Sequence, residues 1–137
     1  MTQPQVFVCP HALIKNGEKY LIMRRSPQTG FKPGEWDIPG GHFNEGEEDP
    51  VAVLLRESFE EVGIVPKVNK IIYLFSEIQS PTRHQFQAIY DCDYQGDEIK
   101  LDPVEHDEYR WATIEEMSQL PLMKFVRSLL DNYLLKI

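Results

Sequence analysis

Apolar and polar positions run along this chain in two periods, one of about two residues and one of about three and a half. "VFVCPHALIKNGEKYLIMRR", residues 6–25, holds two β-rich apolar runs on either side of Asn16-Gly17, a dipeptide that favours a tight hairpin turn. "SPQTGFKPG" is turn-rich and predicts a loop, and "EWDIPGG" predicts a short strand, Glu35 to Ile38, ended by Pro39. Asp49-Pro50 then reads as an N-cap followed by proline at the first helical position, and Gly63 as the C-terminal stop. Between them Val51, Leu55, Phe59 and Val62 recur at helical spacing, which predicts one stripe packed on the core and the glutamates 57, 60 and 61 on the opposite side. "KVNKIIYLFSEIQ" and "RHQFQAIYDCDY" predict two long β segments around a turn at Ser80-Pro81, and "EYRWA" predicts another strand. Thr113 to Glu116 is a capping box opening a short helix, and "LMKFVRSLLDNYLLKI" predicts a closing amphipathic helix of core or dimer contacts. Hairpins mixed with two or three helices predict an α+β fold with a mixed sheet, in one domain over residues 1–137.

Composition narrows the classes. Hydrophobic residues make up 42% and charged residues 26%, which suits a folded core rather than disorder. No apolar run has the length of a membrane span, and the first five residues lack the pattern of a signal peptide. Cys9 and Cys92 are too few and too far apart for a disulfide framework or a zinc cluster, and read as reduced core thiols of a cytoplasmic protein. The formal net charge of −8 argues against general binding to nucleic-acid backbones. A phosphate substrate would therefore need local cations.

The chemistry concentrates in "RESFEEVGI", residues 56–64. Glu57, Glu60 and Glu61 fall at i, i+3 and i+4, a spacing at which like charges repel by a few tenths of a kcal/mol per pair. They also sit in the last turns of the helix, where the macrodipole disfavours negative charge. Taken alone, such a cluster is usually a solvated surface. Its glycine loop, its arginine and its spacing turn that reading toward a cation site. Carboxylates and carbonyls are hard oxygen ligands that suit Mg²⁺ or Mn²⁺, and such an ion relieves the repulsion while bridging to a diphosphate. Arg56 can clamp Glu47 or Glu48 and hold a ligand in place. Glycines 40 and 41, more often a plain tight turn, read beside this helix as a close backbone approach to metal or phosphate. Of Arg24 and Arg25, one is expected to be solvated and the other to contact phosphate or base.

The stretch "GGHFNEGEEDPVAVLLRESFEEVGI", residues 40–64, resembles the signature of the Nudix hydrolases, MutT-like proteins, with Arg56-Glu57, Glu60-Glu61 and Gly63-Ile64 in register. Eight residues separate Glu47 from Arg56, one more than the family pattern has, so the motif glutamate is open between Glu47 and Glu48. Ser58 stands where the family usually has an aliphatic residue. The resemblance implies an α/β/α sandwich and a metal-dependent pyrophosphohydrolase that cleaves a nucleoside diphosphate linked to another group, such as a nucleoside triphosphate, nucleotide sugar or dinucleoside polyphosphate. It implies metal ligands among Gly40 (through its carbonyl), Glu57, Glu60 and Glu61, with Arg56 in the catalytic set and a helix glutamate or a loop acid as base. "EHDEYRW" resembles a segment of some members and makes Glu105 the loop candidate, as a further metal ligand or the base, with Asp107 and Glu108 weaker. The alternatives are a Nudix-like module that senses a nucleotide without turning it over, and an isoprenoid diphosphate isomerase. Family members are often homodimers, so a dimer is compatible with the resemblance.

Overall fold

The computed structural model of this chain describes residues 2–137, with Met1 at the head of the expected domain outside them. Among the described residues, β1 (Gln5–Asn16), β2 (Lys19–Arg25), β3 (Trp36–Asp37), β4 (Lys67–Ser80), β5 (Arg83–Asp93) and β6 (His106–Ala112) form one mixed sheet. The order is β3-β2-β1-β5-β4, with β6 on the other edge of β2. Helices α1 (Pro50–Val62), α2 (Ile114–Ser118) and α3 (Lys124–Asn132) flank it. β1 runs parallel to β5 and the other pairings are antiparallel.

Alternation along β1 and β2 sets the layers. Leu13, Tyr20 and Ile22 join a core with Trp36, Met117 and the buried face of α3, while Ala12, Ile14, Leu21 and Met23 join a second core with Leu54 and Val62 of α1. Apolar residues of the central strands are thus buried on both faces, and helices cover both, as expected of an α+β sandwich.

β1 and β2 pair only beside their turn, at Lys15–Tyr20 and Asn16–Lys19. Beyond it the strands part, and the segment after β3 takes the vacated edge of β1: the Ala12 N–H donates to the Pro39 carbonyl at 2.7 Å and the Gly41 N–H to the Pro10 carbonyl at 3.2 Å. This places the glycine pair at the mouth of a cleft between strands and α1.

The caps of α1 fall where expected, with the Asp49 side chain accepting from the Val51 N–H and Gly63 left-handed at the end. Its faces do not. The buried residues are Val53, Leu54, Ser58 and Val62, whereas Phe59 is 61% exposed. Consequently Glu57 and Glu61 border the buried face instead of opposing it, and Glu60 turns away with its side chain 56% exposed. The closing helix is also shorter than expected, α3 giving way after Asn132 to a single 3-10 turn, Leu134–Lys136.

Candidate functional site

Three segments meet over the exposed side of this junction. The first is the glycine loop. Gly40 has φ +155°, and a Cβ there would lie 2.3 Å from the Pro10 carbonyl oxygen and 2.4 Å from the His11 ring, so the position requires glycine. Its N–H donates to Glu61 Oε1 at 3.0 Å. A Cβ on Gly41 would stand 2.7 Å from the Glu57 carboxyl carbon, so backbone and carboxylate touch there.

The second segment is α1 itself. Arg56 selects Glu47 over Glu48, gripping it with Nε and Nη2 at 2.9 Å each. The same guanidinium reaches Glu57 at 3.1 Å, Glu60 at 3.2 Å and the His42 carbonyl at 3.0 Å, tying loop to helix. Arg56 and the Asn44 N–H hold the Glu47 carboxyl below the usual glutamate range.

The third segment lies between β5 and β6. The last carbonyls of α1 have no helical partner, and the chain supplies them: the Lys100 N–H donates to Val62 at 2.8 Å and the Asp102 N–H to Glu61 at 3.1 Å. The docked loop brings Asp102 and the exposed Glu105 to face the helix acids across a cleft of about 420 Å³. Glu57, Glu60, Glu61, Asp37, Arg25, Gly40 and Gly41 line it too.

Electrostatics separate the carboxylates. Glu61 is pushed well above the usual glutamate range by burial and by the Asp37 charge, with the Gly40 N–H opposing. Glu57 is raised by burial against the pull of Arg56. Burial alone would lift Asp37 as well, yet neighbouring His106 and His11 and the Ile38 N–H bring it below its ordinary value. Cys9, also on the cleft wall, is a thiol pushed up to about 11, chiefly by burial.

Not every expected residue converges. Arg25 lines the cleft, bonded to Asp37 at 3.2 Å. Arg24 points elsewhere, to Asp107 at 2.8 Å and Glu108 at 3.5 Å, which occupies those two acids as well. Glu48 is exposed and away from Arg56. Two residues beside the cleft acids are not expected there from sequence: Asp37, on the cleft wall, lies in the short strand and is not among the candidate acids, and His106, buried behind the cleft, is individually a weak signal in the sequence.

Does the set suit a divalent ion? Among the described residues, no three acidic, histidine or cysteine side chains are gathered tightly enough to enclose one. The chemistry of the donors nevertheless fits: Glu57, Glu60, Glu61 and Glu105 are hard oxygen ligands around one opening, and the loop backbone presses against Glu57. Buried His106 has no hydrogen-bond partner on either ring nitrogen, unlike most buried polar groups.

A mixed sheet between helices, entered through a glycine loop into an acid-bearing helix, defines the class: small α+β proteins with an acidic cleft over the helix. Within that class the chain belongs to the NUDIX domain family, whose profile matches residues 6–133. It is 36% identical over 117 residues to the NAD-capped RNA hydrolase NudC of Deinococcus radiodurans, covering 85% of this chain and 39% of that protein. It is 29% identical over 119 residues to the ADP-ribose pyrophosphatase of Methanocaldococcus jannaschii, covering 86% of this chain and 66% of that one. The crystal structure of a MutT protein from Methanosarcina mazei Go1 superposes with a TM-score of 0.83 at 26% identity, over 99% of this chain and 97% of that one. The chain spans less than half the length of its NudC relatives, 42% of the one from Chromobacterium violaceum.

Proposed function

We propose that this protein is a divalent-cation-dependent pyrophosphohydrolase acting on a small nucleotide that carries a diphosphate linkage. One observation carries the reading: Glu57 and Glu61, one helical turn apart, face the same cleft, with Glu60 at its rim and Glu105 opposite. Glu57, Glu60, Glu61, Glu105 and the Gly40 carbonyl would hold the ion, Mg²⁺ or Mn²⁺. When bound, such an ion neutralises charge on the phosphoryl oxygens and acidifies water at the site.

The chain's own residues do the rest. Arg56 fixes Glu57 and Glu47 in place, so the helix acids keep one arrangement against their mutual repulsion. Arg25, held by Asp37 and the Phe31 carbonyl, offers positive charge to the diphosphate. Glu57 or Glu105 would take a proton from attacking water, and burial raises the affinity of Glu57 for a proton. A second lobe of about 550 Å³, lined by Phe31, Gln85, Gln87, Arg83 and Lys124, continues from the cleft and accommodates the remainder of the nucleotide. The two free, buried thiols suit the reducing cytoplasm.

The test is a nucleotide panel with product identification in saturating Mg²⁺ or Mn²⁺. It includes nucleoside triphosphates, ADP-ribose, NAD, diadenosine tetraphosphate and an NAD-capped RNA, the relatives' names supplying ADP-ribose and the capped RNA. Turnover of one member with cleavage between two phosphoryl groups is expected, and Glu61→Gln should lower it about 100-fold or more with the fold intact. No turnover of any member, or near-normal turnover by this variant, would overturn the proposal.

A further inference from the structure

His106 opens β6 and is fully buried, with no hydrogen-bond partner on either ring nitrogen. A register shift in the β2–β6 pairing, between Arg24 and Arg25, sets it opposite Arg25 and under the cleft. The ring stands between two carboxylates. Nε2 lies 3.9 Å from Asp37 Oδ2, and Nδ1 lies 3.9 Å from Glu61 Oε2. Both gaps exceed a hydrogen bond, and about 1 Å of movement closes either.

The two carboxylates are otherwise anchored. Asp37 accepts from the Ile38 N–H at 2.8 Å through Oδ1 and from Arg25 at 3.2 Å through Oδ2. Glu61 Oε1 accepts from the Gly40 N–H. Its second oxygen, Oε2, has the His106 ring as its neighbour. We infer that His106 is a positioning residue: its Nδ1 edge fixes the inner oxygen of Glu61, with Asp37 backing the ring from the far side. Strand, helix and glycine loop then present the Glu61 carboxyl in one orientation toward the cleft. Histidine suits this place because a planar ring can face two carboxylates at once from opposite edges, and a shorter amide cannot. The inference rests on the metal-dependent reading above and names a residue that supports it.

The two nitrogens make the test directional. Asparagine places its amide near the Nδ1 position, on the Glu61 side. Glutamine reaches the Nε2 position, on the Asp37 side. Phenylalanine fills the volume and offers neither. Binding of Mn²⁺ without substrate, followed by the paramagnetic resonance of the free ion, should weaken about 10-fold or more in His106→Phe and stay within about threefold of wild type in His106→Asn, with His106→Gln closer to Phe. A role in packing alone predicts the reverse order, Phe best and Asn worst, and that order would overturn the proposal. Should the Phe variant not fold, Asn binding tighter than Gln supports the inference, and Gln equal or tighter sinks it.

A second measurement needs no metal. The ¹⁵N resonance of His106 Nδ1 in the metal-free protein should move on Glu61→Gln, and a stationary resonance overturns the contact. Wild-type protein that binds no Mn²⁺ would overturn the metal reading, while the resonance still decides the His106–Glu61 pairing.

Discussion

On the proposed reading, Glu61 is a carboxyl that waits for a cation. Enclosed beside Asp37 and His106, it has an affinity for a proton raised above that of a free glutamate, so a metal ion bound there would compete with a proton and should bind more weakly as pH falls. The same shift has a sign in stability. A carboxyl whose folded pKa is raised stabilises the fold below its unfolded value of about 4.3. That contribution is lost as pH rises through the folded value. In EDTA, Tm should therefore decline as pH climbs above that range, and Glu61→Gln should flatten the decline. Asp37 acts in the other direction, its stabilisation lost only as pH falls through its depressed value, below the ordinary aspartate range of about 3.9. The two windows do not overlap, so equal slopes in wild type and Glu61→Gln from mildly acid to neutral pH would refute the account of Glu61. Arg56 permits a parallel measurement. Its planar fork meets both oxygens of Glu47, which a lysine cannot do, so Arg56→Lys should weaken Mn²⁺ binding about 10-fold or more with little change in Tm.

Helix α1 separates what is local from what is tertiary. Its two ends are legible from sequence because a cap is decided by residues a few positions apart: Asp49 on the Val51 N–H, and Gly63 in the left-handed region. Its core face is not. The stripe Val51, Leu55, Phe59, Val62 competes with Val53, Leu54, Ser58, Val62, and the choice rests on where the sheet lies. Ser58 decides the matter against hydropathy, being fully buried with its hydroxyl unpartnered. Thermal or urea unfolding checks this assignment of faces. Phe59→Ser should change stability by no more than about 0.5 kcal/mol, whereas Leu54→Ala should cost about 2–5 kcal/mol. A large loss from Phe59→Ser would show that the stripe read from sequence is the packed one. The same division holds in the site. Arg56, Glu57, Glu60 and Glu61 are legible because one helix spaces them, and the hard-oxygen set follows. Asp37 and His106 are not, because only strand pairing, including a register shift at Arg24/Arg25, brings them beside Glu61.

Over the whole molecule, charge and fold pull against each other. The chain carries a formal net charge of −8, and its cleft gathers Asp37, Glu57, Glu60, Glu61, Asp102 and Glu105 with, among the described residues, Arg25 as the one lysine or arginine on its wall. Without a cation the acids on that wall repel one another, offset only in part by the Arg56 contacts to Glu57 and Glu60, while burial raises the proton affinity of Glu57 and Glu61. A specific cation should then act as a stabilising ligand of the folded state. At about 100 times its Kd it contributes roughly 2.7 kcal/mol. For a chain of this size that raises Tm by on the order of 5–10 °C. Replacing Glu57, Glu60 and Glu61 together by glutamine should raise the Tm of the metal-free protein and abolish the response to Mn²⁺. Sodium chloride separates this from general screening, since screening stabilises the wild type only at salt concentrations far above those at which a specific ion saturates its site. If the triple variant gains as many degrees from Mn²⁺ as the wild type does, the ion is stabilising the chain somewhere other than this helix.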